Sequence, residues 1–78
     1  MTNNDLILRV ATIVSTLAEI DGSPESMLYV FCNMDMHGYE TARDVLLQME
    51  LITIESHYVK LTAKGKDVAR KINARIQR

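Results

Sequence analysis

The sequence predicts an α+β domain in the order helix, helix, helix, strand, strand, helix. Three observations carry this. Apolar residues recur at three- and four-residue spacing through most of the chain. The period switches to two over residues 51–61. Only a few residues separate the second and third helical segments, which fits a helix-turn-helix pair. The 78 residues suffice for one small domain, read as 1–78. Leu, Ile, Val and Phe make up 22 of them, too many for a disordered chain of net charge -1.

The first helix is capped by Asn4 or Asp5. Leu6, Val10, Ile13, Leu17 and Ile20 form one apolar stripe, with Ile7, Ala11, Val14 and Ala18 beside it. Gly22 stops this helix in a left-handed C-cap. Ser23 is the expected N-cap and Pro24 the first residue of the second helix, over 24–34. Met27, Leu28, Phe31 and Cys32 are expected to face inward. The third helix runs from about 38 to 49. Ala42, Val45, Leu46 and Met49 form its buried side; Tyr39, Glu40, Arg43, Asp44 and Gln48 lie outside. Residues 51–55 and 57–61 alternate as paired strands around a tight turn, although the turn lacks Asn-Gly or Asp-Gly. Thr62 caps a last helix over 63–77. Val68, Ile72 and Ile76 point inward from it, and Lys64, Lys71, Arg75 and Arg78 stay solvated. The apolar faces of the first and last helices either cover each other or pack against a second copy, giving a homodimer.

Charge is divided unevenly. Residues 1–56 hold nine carboxylates against Arg9 and Arg43, net -7. Residues 57–78 hold seven cations against Asp67, net +6. A basic segment can steer a polyanion even when the whole chain is near neutral, or the two halves simply attract each other. One cysteine excludes an internal disulfide framework. No apolar run can span a bilayer, and the first residues lack the pattern of a signal peptide. A cytoplasmic protein is the expectation, with no membrane partner.

The segment Val59-Lys60-Leu61-Thr62-Ala63-Lys64-Gly65 is similar to a Leu-Thr-x-x-Gly junction. That junction ends the wing and opens the last helix in bacterial and archaeal regulators of the MarR and PadR type. Residues 42–54 resemble the third helix of such proteins running into the first wing strand, and the similarity covers nearly the whole chain. It implies a winged helix-turn-helix fold and a DNA-binding transcriptional regulator, often dimeric, acting by operator occupancy. The third helix would enter the major groove of double-stranded DNA, and the wing would touch backbone or minor groove. Two departures stand out. Glu50-Leu51-Ile52 occupies the place of Gly-Leu-Ile or Gly-Leu-Val, and residues 37–50 carry net charge -2.

Under that resemblance the DNA candidates are Tyr39, Thr41, Arg43, His57, Lys60, Lys64 and Lys66. Arg43 can donate two hydrogen bonds to guanine or clamp a phosphate. Tyr39 and Thr41 can reach phosphate through their hydroxyls. His57, Tyr58 and Lys60 belong to the wing, unless Tyr58 is core. Lys64 and Lys66 sit at the positive end of the last helix. Against this, Arg43 can pair with Glu40 on a solvated helix, with Tyr39 half-buried.

For metal, Cys32, Asp35, His37 and His57 do not match a usual zinc spacing. For catalysis, no residue pattern selects a nucleophile and base, no Gly-rich phosphate loop exists, and no cofactor is implied. An enzyme is not expected, since a core this small leaves little room for a pocket of several hundred cubic ångströms. The rival reading is a winged-helix module for protein contact. Its acidic first 56 residues would dock a basic partner, and Leu28, Met34 and Met36 would form an adaptable apolar patch.

Overall fold

The computed structural model describes residues 3–76, with side chains over 5–73. The chain is α+β. Its elements are α1 (Asn3–Ile20), β1 (Ser23–Pro24), α2 (Glu25–Phe31), α3 (Met36–Gln48), β2 (Ile52–Glu55), β3 (Tyr58–Leu61) and α4 (Ala63–Ile76). The expected order therefore needs one correction: a two-residue strand stands between the first two helices. It pairs antiparallel with β3, Ser23 opposite Val59 and Pro24 opposite Tyr58. The sheet runs β1-β3-β2. Two residues are too few to show any period in a sequence.

That strand also displaces the expected cap of α2. The Ser23 hydroxyl donates to the Pro24 carbonyl at 2.9 Å, and Pro24 takes the N-cap position. The Glu25 amide donates across to the His57 carbonyl at 2.7 Å. At its other end α2 stops three residues before the predicted limit. Asn33 adopts a left-handed φ of 55°. The Asn33 amide donates to Val30 and the Met34 amide to Tyr29, which satisfies the last free carbonyls of the helix.

The same closure ends α3. Glu50 stands at φ 59°, its amide donating to Leu47 while the Leu51 amide donates to Leu46. Leu46 and Leu51 are both buried and seal the turn with an apolar contact. The left-handed residue that a glycine would fill without strain is here a glutamate. At the end of α1, Asp21 and Gly22 both have positive φ, as expected for the glycine. In the hairpin, Ser56 at 50° and His57 at 63° form a two-residue turn of the type that matches the strand twist. It places Glu55 opposite Tyr58 and Ile52 opposite Leu61.

The core gathers Ile13, Val14 and Leu17 of α1, Leu28 of α2, Ala42 and Leu46 of α3, Leu51, Ile52, Val59 and Ala69. Helix α1 lies across α3 on one side and α4 on the other. Several expected directions are reversed. Tyr39 is buried, 1% exposed, because it shares the i, i+3, i+7 face with Ala42 and Leu46. Met27, Phe31, Met49 and Ile20 are exposed. For Met27 and Phe31 the reason is length: a seven-residue helix presents one narrow face inward, and Leu28 with Cys32 fills it. The last helix ends at Ile76; Gln77 and Arg78, and the Arg75 and Ile76 side chains, lie outside the described residues.

Candidate functional site

The seven candidate residues fall on two separate faces. Tyr39, Arg43 and His57 line one cleft of about 640 Å³ between α2, the start of α3 and the hairpin tip. Lys60 and Lys66 line another, also about 640 Å³, between the end of α1, β3 and the start of α4. The expectation that a chain this short leaves no such cavity is thus corrected. Both are surface clefts between packed elements, so they need no large core. Thr41 is half-buried and its hydroxyl donates to the His37 carbonyl one turn back at 3.0 Å. Lys64 is exposed and lines neither cleft.

The first cleft is organised by a residue that sequence reasoning missed. Glu25 Oε2 accepts the Tyr39 hydroxyl at 3.0 Å and Arg43 Nη1 at 2.9 Å. The remaining guanidinium donors reach Asp44 Oδ1, Nη2 at 3.1 Å and Nε at 3.3 Å. Arg43 therefore does not pair with Glu40, and its fork is turned onto two carboxylates of its own chain. Its plane also lies 5.9 Å from the Tyr39 ring centroid. The hydrogen bond from Arg43 to Glu25 holds the guanidinium firmly protonated. Burial pushes the Tyr39 hydroxyl well above the usual tyrosine range, and the Glu25 charge and hydrogen bond push it further. Neither group is free to meet a phosphate. No local pattern could have named Glu25, which lies 14 residues before Tyr39 and on another helix.

The outward side of α2 is apolar. Met27, Val30 and Phe31 are 44%, 55% and 53% exposed, and they share one face of α2 at i, i+3, i+4 spacing. Met36 is exposed at the start of α3. The expected patch of Leu28, Met34 and Met36 is not formed, because Leu28 is fully buried and Met34 half-buried. The segment 25–48 carries Glu25, Asp35, Glu40 and Asp44 against Arg43, net -3. Asp35 holds Arg9 of α1 at 3.3 Å.

On the other face, Lys60 lies with its ammonium 5.9 Å from the Tyr58 ring centroid. Lys64 and Lys66 are exposed. Among the described residues these three lysines take part in no ion pair. Arg43 lines a different cleft from Lys60 and Lys66.

Among the described residues, no three His, Cys, Asp or Glu side chains converge as a metal site would require. Cys32 is buried in the core, and burial pushes its thiol up against a smaller opposing hydrogen bond with Thr16. No described helix is long and apolar enough to cross a membrane. No protein-family model matches the chain, and no curated protein or solved structure matches it.

Proposed function

We propose that this chain is a winged helix-turn-helix module that works by protein contact, docking a basic, apolar segment of a partner on its α2–α3 side. The observation that carries the reading is the exposed stripe Met27, Val30 and Phe31 within a segment, 25–48, of net charge -3. Contiguous apolar surface rimmed by charge is the usual mark of a contact site. The surrounding carboxylates select a partner of opposite charge and suppress partners of like charge. An operator-reading helix needs cations for phosphate. The cation of α3, Arg43, is instead neutralised by Glu25 and Asp44.

The second reading is DNA binding by operator occupancy, as a homodimer. Exposure of Lys60, Lys64 and Lys66 with no ion pair among the described residues supports it. It would place the phosphate contacts at the base of the hairpin and the start of α4, away from α3.

The test uses a labelled amphipathic peptide of Lys and Leu and a matched peptide of Glu and Leu. The Lys peptide binds in the micromolar range and the Glu peptide does not. The doubly substituted V30D/F31D chain loses roughly tenfold or more in affinity, as expected for apolar anchors. Both positions are exposed, so the variant still unfolds cooperatively. Equal binding by the variant overturns the reading. Sedimentation of the free chain shows whether a second copy, whose α4 is itself basic, takes the place of the partner.

A further inference from the structure

We propose that the cleft between the end of α1, β3 and α4 binds a small amphipathic carboxylate. Its head would lie among Lys60, Lys66 and Arg70, and its apolar body on a floor of Ala18, Leu61 and Ala63. Three features of the cleft argue for this. Its volume of about 640 Å³ lies within the range of small-molecule sites. Its apolar lining is accessible: Ala18 and Ala63 are exposed and Leu61 is half-buried. Its rim carries three cations from two elements and one carboxylate, Asp21, leaving an excess of two positive charges.

The cations are available. Lys60 and Lys66 take part in no ion pair among the described residues. Arg70 holds Asp67 at 3.0 Å, but both side chains are at least half exposed, and such pairs exchange readily. Asp67 also has Lys71 at 3.3 Å, so it keeps a partner when Arg70 turns to a ligand. A guanidinium beside two ammonium groups suits a carboxylate, which accepts charge-assisted hydrogen bonds on both oxygens. A free phosphate or a duplex backbone would satisfy the cations and leave the hydrocarbon floor uncovered. A neutral apolar molecule would cover the floor and leave the cations in water. Only a ligand with both parts uses the whole cleft. This site is independent of the α2 face.

The experiment is calorimetric titration of the full chain at low salt with octanoate, 1-octanol, inorganic phosphate and a mixed-sequence duplex, each separately. Octanoate is expected to saturate at one per chain, with octanol and phosphate at least about tenfold weaker. K66E weakens octanoate about fivefold or more, while K64E, outside the cleft, leaves it unchanged. D21N removes the one repelling charge and tightens binding about two- to fivefold. Asp21 stands at φ 54°, a conformation Asn tolerates, so this gain of affinity cannot arise from misfolding. Octanol or phosphate binding as tightly as octanoate overturns the proposal, as does octanoate affinity unchanged in both K66E and D21N. A duplex that binds more tightly than octanoate and is lost in K66E overturns it too, and assigns the cations to nucleic acid.

Discussion

Tyr39 joins burial to charge on a single side chain. Its ring lies in the core and its hydroxyl donates to a carboxylate that already holds Arg43. Losing that proton would set two negative oxygens 3.0 Å apart. Burial first, and then that repulsion, push its ionisation above the usual tyrosine range. The sign of the linkage follows. The folded state keeps the proton where the unfolded chain releases it, so this stability is complete below about pH 10 and declines above it. Absorbance titration should show a late tyrosine ionisation that comes together with unfolding. In Y39F the late step is absent, and stability at neutral pH falls by about 1 kcal/mol. The spacing of 39, 42 and 46 made burial of Tyr39 readable. Its polar tip argued for the surface, and Glu25, the partner that resolves this, is brought up only by the tertiary fold. Glu50 makes a second prediction. At φ 59° it carries left-handed strain that glycine lacks. E50G should therefore raise stability by about 0.5–1 kcal/mol in urea unfolding, after the entropy cost of the glycine is taken off.

At the scale of elements, the junction into α4 explains why one glycine sits inside a helix. The Thr62 hydroxyl donates to the Glu50 carbonyl at 2.7 Å and accepts the Gly65 amide at 3.0 Å. The Thr62 amide donates to the Leu51 carbonyl at 3.0 Å. These bonds press the first turn of α4 onto the end of α3. A Cβ at position 65 would collide with the Leu51 carbonyl oxygen, which is backbone and cannot turn aside. G65A should thus destabilise the fold by more than about 1 kcal/mol, although alanine is the better helix former by about that amount. T62A should cost about 0.5–2 kcal/mol through the lost cap. Thermal unfolding of both variants checks the pair. The cap at Thr62 and the pair of strands were legible, because a capping residue and a two-residue alternation are local signals. Strand β1 was not, since two residues have no period. The outward side of α2 was misread because Met27 and Phe31 are apolar all the same. An apolar residue on a short helix signals burial only when a neighbour is there to cover it.

At the scale of the molecule, the charge asymmetry in the sequence becomes two faces. The acidic, apolar side lies over α2 and α3; the cations of the hairpin base and α4 gather around a different cleft. The asymmetry itself was plain from the sequence, but its consequence was not. Whether Arg43 joins the lysines or opposes them depends on which way its side chain turns, and Glu25 decides that. The chain is proposed to work by protein contact and not by binding DNA through either face. The most direct measurement is fluorescence anisotropy of a random-sequence duplex titrated with the chain, at roughly 50 mM and 200 mM salt. No saturable binding at micromolar chain is expected in either condition. Binding at the lower salt that weakens steeply at the higher would show real phosphate contacts and contradict it.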